Sequence, residues 1–395
     1  MSRDVLAING GDPVRPTLLP YGRQHIDEDD IAAVVETLRS DWLTTGPKVD
    51  EFERAFAAFT GSAHAVAVSS GTAALHAAVY ALNIQPGDEV IVTPMTFAAS
   101  ANAILYQGGT PVFADVQPDT LLIDPEQVAA KITPKTKAVI AVDYAGQPCD
   151  YDALRASTEP RGIKIIDDAC HAIGGAYRGR TVGTLADLNT FSLHPVKHMT
   201  TGEGGVITTN DAEYAQRMRI FRNHGITTDH RQRAQTGGFF YEMVDLGFNY
   251  RINDFQCALG ITQLKKVPAS VARRQEIARR YDERFAEMPY VQPLHVRGDV
   301  AHAYHLYMVQ FETERMSRAE IFKALRAENI GVNVHYIPVH LHPYYQKRLG
   351  TGRGMLPVVE AAYDRLITLP IFPDMSDADV DDVVFACQKL SRGQT

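Results

Sequence analysis

Apolar residues recur along this chain with two periods. Ile31, Val34, Val35 and Leu38 stand at the spacing of one helix face, preceded by the acidic run Asp27–Asp30, which suits a helix N-terminus. The segment from Trp42 to Pro47 breaks that helix, and a second is predicted over 49–59. From there, short apolar runs of strand length alternate with helical stretches. Strands are predicted at 64–68, 89–93, 111–115, 137–142, 164–167, 188–192 and 206–209. Helices are predicted at 73–82, at 97–105, and from the cap Asp124-Pro125 to Ile132. This alternation implies an α/β fold: a mainly parallel, seven-stranded sheet sandwiched by helices.

The pattern changes after about residue 260. A polar helix over 270–288 leads to a strand over 303–311, a helix over 317–328, a strand over 331–335 and a last helix over 377–390. This predicts a smaller C-terminal α+β domain over 261–395, following a large domain over 27–260. The first 26 residues carry Pro13, Pro16, Pro20 and the pair Gly10-Gly11, and read as an extended arm.

Composition narrows the function classes. Lys+Arg is 39 against 47 Asp+Glu, a net charge of −8, which disfavours a nucleic-acid binder held by bulk electrostatics. Cys149, Cys170, Cys257 and Cys387 lie far apart with no C-x-x-C, so neither a disulfide framework nor a zinc knuckle is expected. No signal peptide and no membrane-spanning apolar run is visible, so a soluble cytoplasmic enzyme is the expectation.

Three stations carry chemistry. Ser69-Ser70-Gly71-Thr72 lies between a strand and a helix, where backbone N–H groups and hydroxyls make either a phosphate cradle or an ordinary helix cap. Neither a Walker A loop nor a strand–G-x-G-x-x-G–helix occurs, so nucleotide folds of those types have no support. Asp167-Asp168-Ala169-Cys170-His171 ends a buried strand, at the edge where open α/β sheets bind ligands. An Asp there either caps the next loop or holds a cationic ring nitrogen. Ser192 to Gly205 places Lys197 in a crowded loop between two strands, as a surface lysine or as a Schiff-base amine.

These stations, with Leu43-Thr44-Thr45-Gly46-Pro47, Thr96-Phe97, Gly202-Glu203-Gly204-Gly205 and Gly247-Phe248-Asn249-Tyr250-Arg251, resemble the fold-type-I pyridoxal phosphate (PLP) aminotransferases of nucleotide-linked keto sugars, the DegT/DnrJ/StrS type. The resemblance implies a fold-type-I PLP-dependent transferase working as a homodimer. It makes Lys197 the Schiff-base lysine and proton shuttle, and Asp168 the partner of the pyridinium nitrogen. It puts Ser70, Gly71, Thr72 and Ser192 on the phosphate, Phe97 on the ring face and His171 near the phenolic oxygen. Asn249 would reach the phosphate of a second subunit. Tyr21, Leu43, Thr44, Thr45, Gly46, His335, Tyr336, Ile337, Pro338 and His340 would contact the sugar nucleotide. His335, His340 and His342 also raise a metal site, but no nearby carboxylate completes one, and no metal is expected. Cys170 replaces a small residue frequent in relatives and is given no role.

Within that family, Leu19–Gln24, His194–Lys197 and His335–His340 resemble the C4 transaminases of pseudaminic acid biosynthesis. The implied reaction moves an amino group from L-glutamate to C4 of a UDP-linked 4-keto-6-deoxy-N-acetylhexosamine. The alternatives are another UDP- or dTDP-linked 3- or 4-keto sugar, or a PLP-dependent sugar dehydratase. Relatives that dehydrate carry His at the lysine position, whereas this chain keeps Lys197 beside His198.

Overall fold

The computed structural model describes residues 4–228, 231–233, 237–312 and 316–392. Seven strands build the main sheet: β1 His64–Val68, β2 Glu89–Val92, β3 Thr110–Phe113, β4 Thr136–Val142, β5 Lys164–Asp168, β6 Leu188–Ser192 and β7 Gly205–Thr209. Their order is β1-β7-β6-β5-β4-β2-β3. Only β7 runs antiparallel to its neighbours, β1 and β6. The remaining pairs are parallel, as expected for strands joined through crossover helices. All seven predicted strands are present. Most of their residues are buried, and β1, β2 and β4 are rich in Val, Ile and Ala, the composition of strands covered on both faces.

Helices α1 Glu28–Leu38, α2 Pro47–Thr60, α3 Gly71–Ala81, α4 Ala99–Tyr106, α5 Pro125–Lys131, α6 Tyr151–Thr158 and α7 Ala212–Phe221 flank the sheet. The acidic run at the cap and first turn of α1 does more than face the helix dipole. Asp27 and Asp30 form a capping box, and the fully buried Asp30 also takes bonds from Gln263 and Lys266, each at 2.7 Å. These donors lie on α8, Asp254–Phe285, a 32-residue helix that contributes to both apolar clusters of the chain. The expected limit at 260/261 falls inside α8. The helix predicted from residue 270 begins instead at Asp254 and runs through Pro268.

Beyond α8, a three-stranded sheet of Val291–Pro293, Tyr307–Phe311 and Leu366–Leu369 packs with helices Arg318–Ala327 and Asp377–Arg392. Two predicted strands need correction. Residues 303–306 are not strand, because Ala303 N–H and Leu306 N–H bond the carbonyls of Gly146 and Ala145 instead of a ladder. Residues 331–335 make a single bridge, Asn333 to Thr368. Gly331 N–H is taken by Leu19 O, and the Asn333 side chain caps its own neighbour Val334 N–H.

The N-terminal segment is fastened by one buried ion pair. Glu328 and Lys389, both fully buried, meet at 2.7 Å. Glu328 also accepts from Ala7 N–H and Val14 N–H, and Lys389 donates to Asp12 O. Removing one partner would leave the other charge buried and alone. Glu328→Ala is therefore expected to lower the urea-unfolding free energy by about 3–5 kcal/mol; a loss below about 1 kcal/mol would show that this pair does not fasten the segment.

Candidate active site

The site is built where β1, β4, β5 and β6 end. Ser70, after β1, caps α3 with its hydroxyl on Ala73 N–H at 3.1 Å, so the free N–H groups of the first turn open into the space beyond the sheet. The backbone packs closely there. A Cβ on Gly71 would lie 2.8 Å from Ser192 Cβ, and one on Gly205 would lie 2.3 Å from Ser70 O. The Gly-rich return strand thus lets β6, β7 and the α3 N-terminus crowd together around a small concave cradle.

Asp168 closes β5. Its Oδ2 accepts from the Ser100 hydroxyl at 2.7 Å, and Ser100 is itself bonded to Thr96 at 2.7 Å. Its Oδ1 accepts from Cys170 N–H at 3.3 Å. A carboxylate held on both oxygens presents a fixed negative charge to the cavity. Lys197 sits in the loop between β6 and β7, which Thr201 N–H and the Thr200 hydroxyl close onto Leu193 O. Loss of hydration lowers the Lys197 amine below its ordinary value, opposed by Cys170 and Asp168.

His171 bonds Tyr336 through Nε2 at 3.0 Å and packs on His305 at 4.5 Å between ring centroids. Burial, with Lys197 next, holds His171 well below its usual pKa, so it is neutral; its Nδ1 is buried and without a partner among the described residues. His335 is fixed by Thr368 at 2.8 Å, and burial lowers it to about 3. Tyr21 leans on His335 at 5.2 Å, and Phe97 is 61% exposed at the cavity wall, 5.9 Å from Tyr336.

One cavity of about 440 Å³ collects Ser70, Gly71, Thr72, Phe97, Asp168, His171, Ser192 and Lys197 with Tyr21, His335 and Tyr336. Other residues named from the sequence lie elsewhere. Gly46 N–H bonds Asp254, and Thr44 bridges Asn253, so Leu43 to Gly46 shape the start of α2. Thr45 lines a separate cleft with Arg219, Arg222 and Arg251. Asn249 bridges Asn223 and is not part of this chain's cavity. Ile337 is exposed and Pro338 buried beside it, both outside the cavity. His340 is fully buried on Glu360 at 3.0 Å, which also receives Gly354 N–H; in this chain it ties down a loop rather than facing the cavity.

The sequence reading missed Ser100 and His305. Ser100 lies in the first turn of α4, and the bend ahead of that helix brings the Thr96 hydroxyl to it. For His305 the sequence carries no signal, because a non-strand turn brings it to the site.

The cradle suits a tetrahedral dianion, Asp168 a ring N–H, Phe97 a flat ring and Lys197 a carbonyl carbon; this donor set fits pyridoxal phosphate. If the close packing at Gly205 forms the cradle, Gly205→Ala should weaken binding of a phosphorylated ligand at least about tenfold, or 1.4 kcal/mol, in a thermal-shift titration. Unchanged affinity would mean that the cradle is not the phosphate site.

Comparison with known proteins agrees with this geometry. The description "DegT/DnrJ/EryC1/StrS aminotransferase family" matches residues 24–388. Spore coat polysaccharide biosynthesis protein SpsC of Bacillus subtilis is 44% identical over 383 residues, 96% of this chain and 98% of that protein. The putative sugar aminotransferase Spr1654 of Streptococcus pneumoniae, in its PLP form, is 35% identical with a TM-score of 0.88, covering 95% of this chain and 99% of that one. Helicobacter pylori PseC, an aminotransferase of pseudaminic acid biosynthesis, is 32% identical with a TM-score of 0.88, covering 95% and 100%. The chain belongs to the DegT/DnrJ/EryC1/StrS aminotransferase family and has its fold-type-I architecture.

Proposed function

We propose that this transaminase uses pyridoxal phosphate to move an amino group from L-glutamate to C4 of a UDP-linked 4-keto-6-deoxy-N-acetylhexosamine, as in pseudaminic acid biosynthesis. The observation that carries the reading is the single cavity holding Lys197, Asp168 and the Ser70–Thr72 cradle together. The likeness to PseC over 95% of the chain supports the substrate class. Similarity to a spore-coat polysaccharide protein supports the broader alternative, another UDP- or dTDP-linked keto sugar. Lys197 in place of His disfavours dehydration.

When bound, pyridoxal phosphate supplies an aldehyde conjugated to an electron-withdrawing ring. The α3 N-terminus, Thr72 and Ser192 would hold the phosphate. Asp168, braced by Ser100, would accept the ring N–H and favour its protonated form. Phe97 would lie against the ring. The lowered Lys197 amine has a larger unprotonated fraction than a surface lysine, so it serves both as nucleophile and as proton acceptor at the donor's Cα. Neutral His171, fixed by Tyr336, offers a hydrogen bond without adding charge. Tyr21, His335 and Tyr336 line the rest of the cavity, where the sugar would enter.

A second copy would complete the site through Asn249, giving a homodimer with shared active sites. The segment before Asn249 exposes Phe239, Phe240 and Leu246 at 90%, 69% and 70%, an apolar surface suited to a partner. Sedimentation that finds only monomer under assay conditions would remove this part. The four free cysteines fit a cytoplasmic location; among the described residues no helix is long and apolar enough to cross a membrane.

Lys197→Ala is expected to lose at least about 10²–10⁴-fold in turnover with its circular dichroism unchanged. Mass spectrometry of products from UDP- and dTDP-linked keto sugars should find the aminated UDP-N-acetylhexosamine. Normal turnover by the variant would overturn the role of Lys197, and amination of dTDP sugars alone would transfer the reading to the alternative.

A further inference from the structure

On β5, alternation sends Asp168 to the cavity and Asp167 to the opposite face of the sheet. On the neighbouring strand, Ala141 pairs with Asp167 and Val142 with Asp168. Asp143, two residues past Ala141, therefore emerges on the same rear face as Asp167. Both carboxyls are fully buried. Asp143 N–H donates to Asp168 O at 3.2 Å, tying the two strand ends together.

The hydrogen bonds behind the sheet are too few. Asp143 Oδ1 accepts from Cys149 N–H at 2.9 Å and from the Tyr151 hydroxyl at 2.8 Å. Asp143 Oδ2 and both oxygens of Asp167 have no partner among the described residues. Tyr151 has one proton and gives it to Asp143. Asp168 differs, since both of its oxygens accept a bond. Two ionised carboxylates buried side by side with three orphan oxygens would be strongly unfavourable, and one proton between them relieves both the repulsion and the missing donor.

Among the described residues, no cation is bonded to either carboxyl. Burial raises the Cys149 thiol and the Tyr151 phenol, so both are neutral. The Arg297 guanidinium, near Cys149, gives Nη2 to Asp150 at 3.3 Å and Asp299 at 2.9 Å; its Nη1 is buried without a partner among the described residues and bonds neither carboxyl. Asp168, on the front of the sheet, adds a like charge.

We propose that Asp143 and Asp167 share one proton in a carboxyl–carboxylate bond behind the sheet, and that this pair is a positioning element for Asp168. It holds the end of β5 against β4 and limits the negative charge behind Asp168 to one. Burial raises both carboxyls, with the charge of Asp168 adding to it at Asp143, which is raised to about 7, and that of Asp143 at Asp167. The consequence for the cofactor rests on the proposed role of Asp168; the shared proton does not.

The test uses the full chain with and without pyridoxal phosphate. Infrared spectra of the cofactor-free chain at about pH 6 should contain a protonated-carboxyl band that is lost in Asp167→Asn and in Asp143→Asn, whose amides supply the missing donor permanently. The folded pair keeps its proton where the unfolded chain has lost it. Wild-type stability should therefore fall as pH rises from about 4 toward about 7, and the variants should lose a slope of about one proton. In the loaded enzyme, the cofactor's visible band should show an inflection near about pH 7 that disappears in Asp167→Asn. Absence of the band in wild type, or its persistence in both variants, would overturn the shared proton. An inflection unchanged in Asp167→Asn would overturn the positioning role. Failure to load the cofactor would refute the functional reading and, with it, that role, while the band and the slope would still decide the proton.

Discussion

Consecutive residues on a strand must face opposite sides of the sheet, and here that constraint falls on two carboxylates. Asp168 turns to the cavity, where Ser100 and Cys170 N–H stabilise its charge. Asp167 turns to the other face, where neither of its oxygens has a partner among the described residues. The rest of the site is arranged around the end of this strand. β6, paired with β5, delivers Ser192 and the loop bearing Lys197. β4, its other neighbour, contributes Val142 to the wall. β1 reaches the same edge through β7, placing the α3 N-terminus opposite Lys197. A parallel sheet gathers such groups because its strands end on one side, where each turns into a loop or a helix N-terminus.

The cavity balances charge against burial. The cradle and Lys197 bring positive potential, and Asp168 brings fixed negative charge. Desolvation lowers the amine from its ordinary value and holds the nearby imidazoles neutral. A cluster of cationic imidazoles beside Lys197 would repel the lysine's own proton and compete for the phosphate. Packing His171 against Tyr336 and His305 avoids this without removing hydrogen-bonding capacity.

Much of this was legible in the sequence. The seven strands announced themselves because each is a short, mostly buried run set between helical stretches, several of them rich in Val, Ile and Ala. The three stations lie close to strand ends and so were found in the correct order. What stayed hidden depended on long-range contacts. The length of α8 was hidden: it continues through Pro268, because a local propensity yields when α1 and α2 pack along it. His335–His340 read as one motif, yet His335 lines the cavity and His340 lies buried on Glu360. Period alone does not separate them where the chain is irregular. The Asp143–Asp167 pair is 24 residues apart in sequence and meets only through the register of two parallel strands.

The central claim is that the Lys197 cavity binds pyridoxal phosphate and lets an amino donor load it. The visible absorbance spectrum of the purified chain, supplied with pyridoxal phosphate and then with L-glutamate, tests this most directly. The account predicts a visible band that requires Lys197 and that L-glutamate converts to the shorter-wavelength pyridoxamine form. A chain that acquires no band after pyridoxal phosphate is supplied would contradict it.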